Sequence, residues 1–435
     1  MTTAALPSPR FTSHSRRVLA GGFVGSFASV GLSLYLFGVF QDSIVEAFGI
    51  SVGTYSWGPS IFSLVSAVLS PIMGRSLRTH GREGLSIRGV MITGAVALGI
   101  GLVLISRSDS VLLLAVGFGL LVAPATTLMG PLMGQAMATN WFEAKRGRAL
   151  GIVAAGTTIG GVFTPPLAAS LIEALGWRDA MSLLGILMFV IPLPIIAFCV
   201  TTSPEDIGER PDGVTAPPLS ADGSPRTIAP PKTTGALLRE PNLWLLGLAF
   251  GLIFSSGTIS VVFTVPYASQ LGLPLVGGAA IVSIRSAAAA TGKVVLGSLS
   301  DRFGVKPVLW GIIAVEMVGI ALLVQTRDPL VFALLGVAIG FVGGAALPLQ
   351  GAIVGLIFGR ASFPSALGLL SPVSLPFRIF LVPVAGYVYN ATNDYAMVFG
   401  CMIPIFALAA LLLFFIHPPE DDETNGAAQD ERRSA

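Results

Sequence analysis

Twelve apolar stretches follow one another along this chain. Each is close to the roughly 20 residues a helix needs to cross a hydrocarbon layer about 30 Å thick. They fall at 18–40, 55–74, 86–106, 110–138, 149–174 and 179–200, then at 241–265, 275–298, 307–326, 329–358, 363–389 and 394–416. Only 11% of the 435 residues are charged, against about 25% in a soluble protein. So few charges cannot clothe an aqueous surface, and lipid must cover much of the chain. The segment between the two sets, 201–240, is rich in Pro, Asp and Ser without apolar periodicity, and it reads as a solvated linker. The fold expected is therefore an all-α membrane protein: twelve transmembrane helices in two six-helix halves, 18–200 and 241–416. Polar tails precede and follow them at 1–17 and 417–435. The first apolar stretch is long and has no small-residue cleavage site, so it reads as a retained helix and not a signal peptide.

Basic residues in the short connections set the expected orientation. With twelve crossings, one side receives Arg10, Arg16, Arg17, Arg75, Arg78, Arg82, Arg88, Lys145, Arg146, Arg148, Arg302, Lys306 and Arg360, and the other only Arg107, Arg178 and Arg327. Thirteen against three predicts that both termini and the linker are cytoplasmic, and a plasma (inner) membrane location is expected. Trp57, Trp141 and Trp177 stand at run ends and read as interfacial anchors.

Charges inside the runs are few: Arg285 and Lys293 in the eighth, Glu316 in the ninth and Arg378 in the eleventh. Each costs roughly 2.5–3.5 kcal/mol on insertion scales unless it faces a cavity or a partner. Three positive groups to one negative favour an anionic solute. Arg378 lies mid-run between Pro372, Pro376 and Pro383, which predicts a broken helix there. Its guanidinium suits two parallel hydrogen bonds to a carboxylate. Pairing with Glu316 is the structural alternative. Arg285, Ala289 and Lys293 recur at i, i+4 and i+8 and share one helix face. Lys293 is also close enough to the membrane edge to snorkel. Glycines cluster in the fifth run (Gly151, Gly156, Gly160, Gly161) and the tenth (Gly336, Gly340, Gly343, Gly344), where they permit close helix packing, static or sliding.

Several stretches resemble known carriers. GSLSDRFGVKP, Gly297 to Pro307, is similar to the signature loop of the major facilitator superfamily, with Gly297, Asp301, Arg302 and Gly304 in the expected places. The first-half counterpart, GRSLRTHGRE, matches at Gly74, Gly81 and Arg82, but has Arg78 where that family usually has Asp. The resemblance implies a conformational latch at Gly74, Arg82, Gly297, Asp301, Arg302 and Gly304. The stretches Leu34–Trp57, Asn140–Gly161, Gly176–Ala180 and Phe358–Tyr395 resemble the monocarboxylate-transporter and oxalate:formate-antiporter branch. That branch has an Arg where Lys293 stands, and its proton-linked members have an Asp where Ala289 stands. Their first-helix Lys corresponds loosely to Tyr35, which could still donate to a carboxylate or simply pack. The missing proton carrier leaves Glu316 as the proton-coupling candidate, although the ninth helix resembles an outer support helix. Pro165 and Pro166 fall near the Gly-Pro motif of the antiporters, with different spacing.

Nothing in the helices resembles a catalytic set. The three histidines, His14, His80 and His417, lie at or beyond the membrane edges, and there is no Walker-type phosphate loop. The chain is therefore expected to be no enzyme, to need no cofactor or metal, to bind no nucleic acid and to act as a monomer in the bilayer. The expected function is secondary transport of small organic anions, monocarboxylates first, with proton symport or exchange for a counter-anion. The substrate-binding set is Arg378, Arg285, Lys293 and Tyr35. A carrier or exporter of a neutral or drug-like solute, with the charges forming gates, is the alternative.

Overall fold

The computed structural model describes residues 13–77, 84–142, 146–209 and 232–416. Regular structure there is helical, apart from an isolated bridge between Leu77 and Leu85. Among the described residues, eleven stretches are long and apolar enough to cross a membrane: α1 Ser13–Phe48, α3 Ile87–Ser106, α4 Val111–Ala138, α5 Ala149–Leu175, α6 Trp177–Cys199, α7 Pro241–Gln270, α8 Leu275–Ser300, α9 Val305–Leu323, α10 Pro329–Phe358, α11 Ser365–Thr392 and α12 Tyr395–Phe414. The crossing between α1 and α3 is α2, Trp57–Ser76, a helix of 20 residues. Arg78, Arg82, Lys145, most of the linker, residues 1–12 and the tail at 417–435 lie outside the described residues, and α1 takes up residues 13–17 of the expected N-terminal tail.

Local chemistry sets many helix starts. The hydroxyls of Ser86 and Ser110 accept from the backbone N–H groups of Gly89 and Leu113. The Asp328 carboxylate accepts from Leu330 and Val331, and that of Asp394 from Ala396. These bonds satisfy donors that the first helical turn leaves free. Gly304, at φ 86° between α8 and α9, occupies a backbone region that side chains disfavour.

Three expectations change. α1 runs eight residues past the apolar stretch, to Phe48, and Gly49 at φ 59° caps it. Gln41 and Asp42 interrupt the hydropathy pattern but not the helix, because Gln41 is fully buried and donates to the Tyr395 hydroxyl at 2.7 Å. Trp141 is no interfacial anchor: it is 2% exposed, and its indole N–H donates to the Thr201 carbonyl at 2.9 Å. The backbone around Arg378 is not broken, since helix continues from Ala346 to Thr392 through all three prolines. Proline removes one hydrogen bond and frees the carbonyl four residues earlier. Neighbouring helices can satisfy such a carbonyl at membrane depth. Pro383 frees Ile379, whose carbonyl accepts from Ser60 of α2 at 2.5 Å. Pro166 frees Val162, whose carbonyl accepts from Ser283 of α8 at 2.6 Å.

The halves meet through α5 against α8, α1 against α7 and α2 against α11. Outward faces are apolar and bare, with Leu112, Leu120, Leu330 and Phe198 all more than two-thirds exposed, as lipid-facing side chains should be. Hydrogen bonds between the halves gather in the end of the bundle opposite the termini and the middle. They join Glu173 to the Val276 N–H, Gln41 to Tyr395, Trp57 to Tyr387, Ser60 to Ile379 and Ser283 to Val162. Toward the terminus-bearing end, a Cβ on Gly151 of α5 or Gly297 of α8 would meet nothing within 4 Å. Among the described residues, the hydrogen bonds between the halves thus hold one end and the middle together, while these two glycines near the other end face open space.

Candidate functional site

Between the halves lies a cavity of about 740 Å³, lined from both of them. The N-terminal half contributes Tyr35 of α1, Gln135 of α4 and Thr157 and Thr158 of α5. From the C-terminal half come Arg285, Ser286 and Lys293 of α8, Glu316 of α9, Gln350 of α10 and Arg378 of α11. Ile253, Phe254, Leu347, Leu370 and Phe406 supply apolar wall.

All five residues that sequence reasoning singled out for solute or proton thus line one cavity: Arg285, Lys293, Arg378, Tyr35 and Glu316. Arg285 donates to the Thr264 hydroxyl at 3.2 Å, which holds the guanidinium on α7 without neutralising it. Tyr35 hydrogen-bonds Ser286 across the halves. That pair sits on Gly161, where a Cβ would lie 2.6 Å from both hydroxyl oxygens. Lys293 does not snorkel outward; its ammonium donates to Thr158 Oγ1 at 2.6 Å, again across the halves. Arg378 reaches the cavity from an unbroken helix. Among the described lining residues, three cations face a single carboxylate, Glu316, which is 5% exposed.

Glu316 arrives from an outer helix, and α10 makes way for it. Its Oε1 occupies the place where a Cβ on Gly343 would come, 2.7 Å away. A Cβ on Gly340 would strike the Arg285 side chain, and one on Gly344 the backbone of Ala289. The neutral partners Thr158, Thr264 and Ser286 escaped the sequence reading. Hydroxyls inside apolar runs commonly bond their own helix, so their types carry no signal of a cavity.

The latch residues stand apart. Gly74 lies in the last turn of α2, Gly297 borders open space, and Arg302 is exposed with its guanidinium 5.4 Å from the Phe303 ring centroid. Arg82 and the side chain of Asp301 are outside the described residues.

The family described as Major Facilitator Superfamily matches residues 21–284 and 253–435 of this chain. The chain is 27% identical over 369 residues to monocarboxylate transporter 13 of Rattus norvegicus, covering 83% of this chain and 80% of that protein. It is 25% identical over 400 residues to monocarboxylate transporter 11 of Mus musculus, covering 88% and 83%. An MFS transporter of Aspergillus flavus is 25% identical over 386 residues, covering 87% and 81%. Among solved structures, a bacterial homolog of the human lysosomal transporter Spinster, inward-facing and unoccupied, superposes with a TM-score of 0.70 at 16% identity, over 93% of this chain and 97% of that one.

Proposed function

Since the chain belongs to the Major Facilitator Superfamily and is a multi-pass secondary transporter, we propose that its cargo is a small organic anion, with monocarboxylates the first class to test. The observation that carries this reading is the charge of the cavity lining: Arg285, Lys293 and Arg378 against Glu316. A carboxylate accepts two parallel hydrogen bonds from a guanidinium, and in a partly dry cavity such bonds gain strength. Ile253, Phe254 and Leu370 offer the organic part of the solute an apolar wall. The relatives named monocarboxylate transporters support the same cargo. The thirteen-to-three distribution of basic residues supports cytoplasmic termini, in a plasma (inner) membrane. The cavity then opens to the cytoplasm. A proton or counter-anion accompanies the cargo, because moving one charge against the membrane potential costs about 2.3 kcal/mol per 100 mV. A single chain encloses the whole cavity, which supports a monomer as the working unit.

The test is uptake of labelled pyruvate, lactate and oxalate by the purified chain in liposomes. Arg378→Ala and Arg285→Ala are each expected to reduce uptake by at least about 100-fold, the scale of a lost bidentate charge contact of ~3 kcal/mol. Thermal melting of Arg378→Ala should stay near that of the wild type, since no acidic group pairs with Arg378 among the described residues. Wild-type rates in both variants, or competition by neutral solutes and by no carboxylate, would return the charges to a gating role.

A further inference from the structure

We infer that Glu316 links proton binding to solute binding at Arg285, and that Gly343 is the position that lets it reach there. This rests on the reading that the cavity takes a carboxylate. α9 packs on α8, α10 and α12 at the outside of the bundle. A side chain from it enters the cavity only by passing α10. On the face of α10 turned to α8 and α9 stand Gly336, Gly340, Gly343 and Gly344, and the neighbours they admit differ. Gly340 admits the Arg285 side chain, Gly344 the α8 backbone, and Gly343 alone admits the end of Glu316. The carboxyl so admitted is almost wholly buried, lines the cavity, and is in electrostatic reach of Arg285. The charged groups that face the cavity with it are Arg285 and Lys293 from α8 and Arg378 from α11; Tyr35 is the phenol across from them on α1. Among the described residues, α10 and α12 present only neutral side chains there, including Gln350, Met402 and Phe406.

The charge balance follows. In the empty cavity an ionised Glu316 offsets Arg285. A solute carboxylate competes with Glu316 for the same guanidinium, and the charge on Glu316 repels it there. A proton on Glu316 removes that charge and frees Arg285 for the solute. One proton and one monocarboxylate then cross together, with no net charge moved. Release of the solute restores the need for an ionised Glu316, and the proton leaves.

The experiment uses the full chain in liposomes with pyruvate and lactate as probes and two readouts: accumulation driven by an imposed pH gradient, and solute exchange at equal pH on both sides. Wild type is expected to do both. Glu316→Gln should keep exchange and lose accumulation about tenfold or more, within the usual range of a coupling between two sites. Gly343→Ala displaces only a flexible carboxylate end and should show the same split. Adding Glu316→Asp, one methylene shorter, should restore part of the accumulation. Gly336→Ala places a Cβ an ordinary 3.5 Å from Ile281 and should be silent. Gradient-driven accumulation by Glu316→Gln at the wild-type level, or a Gly343→Ala variant indistinguishable from Gly336→Ala, overturns the inference. Wild-type exchange of carboxylates without any response to the gradient overturns it too, and leaves the anion reading standing. Failure of the wild type to exchange any carboxylate removes both.

Discussion

Asp394 serves two partners at the head of α12. Its Oδ1 accepts from the Ala396 N–H at 2.9 Å, and Arg327 donates to its two oxygens at 3.2 and 2.8 Å. The Arg327 hydrogen bonds hold the Asp394 carboxyl below the usual carboxylate range, and Asp394 raises Arg327 in turn. A carboxyl with a depressed folded-state pKa adds stability above its unfolded pKa, and loses it as pH falls through the folded value. Asp394→Asn keeps an N-cap acceptor but not the ion pair; Asp394→Ala removes both. The cap is worth about 1 kcal/mol, and the ion pair, with Arg327 60% exposed, no more than about 1 kcal/mol after solvent screening. Melting of the purified chain should therefore rank wild type above Asn above Ala at pH 7. The gap between wild type and Asn should close as the buffer falls below the carboxylate range. A gap that persists at low pH would mean the pair contributes nothing. The sequence shows Arg327 beside Asp328, yet Asp328 is spent on capping α10 and the partner lies 67 residues on. The same exchange of near neighbours occurs across two loops, where Arg178 pairs with Asp109 and Arg107 with Asp179. Which charges exist was legible in the sequence. Their pairing was not, because it depends on how loops meet in space.

At the scale of the helix, apolar runs were legible because a lipid-facing helix has no other composition open to it. Boundaries failed where a polar residue was buried against a partner, as Gln41 is against Tyr395. Proline misled in a more instructive way. A broken α11 was expected because each ring deletes a backbone bond. The structure keeps the helix and uses the freed acceptors: the carbonyls of Ile379 and Val162 bind Ser60 and Ser283 from the opposite half. Gly38 lets α1 press against the Val262 carbonyl that Pro266 frees. Such bonds join the halves without any charge, so each costs little to break. One neutral hydrogen bond contributes about 1 kcal/mol. Removing both with Ser60→Ala and Ser283→Ala should shift the balance toward the arrangement open at the far end by up to about 30-fold, the factor for ~2 kcal/mol. Spin labels at Ala47 and Gln325, with Cys199 and Cys401 replaced, should report a longer distance population in the double variant. An unchanged distribution would reduce these bonds to local packing.

For the whole molecule, the bonds between halves have an order. Along α5 and α8 they run from Glu173 with Val276, at the far end, through Val162 with Ser283 to Thr158 with Lys293 near the middle. Beyond these, Gly151 and Gly297 look into open space. Hydropathy cannot encode this arrangement, because it identifies helices and says nothing of which of two packings of the same halves is lower in energy. The two residues that tie the halves together at mid-depth, Lys293 through Thr158 and Tyr35 through Ser286, also line the cavity. A bound anion that recruits Lys293 must therefore loosen its bond to Thr158 and change the bias between the two ends. A ligand shifts such a balance only through its different affinity for the two arrangements. Cysteines at Gly297 and, separately, at Ser56, which is fully buried at the far end, make the claim measurable once Cys199 and Cys401 are replaced. In oriented vesicles without solute, a membrane-impermeant maleimide should label Gly297→Cys from the terminus-bearing side and leave Ser56→Cys untouched from the other. Saturating pyruvate should slow the first and expose the second. Rapid labelling of Ser56→Cys in the empty state, or rates at both sites that ignore the solute, would disconnect the closed end from the cavity.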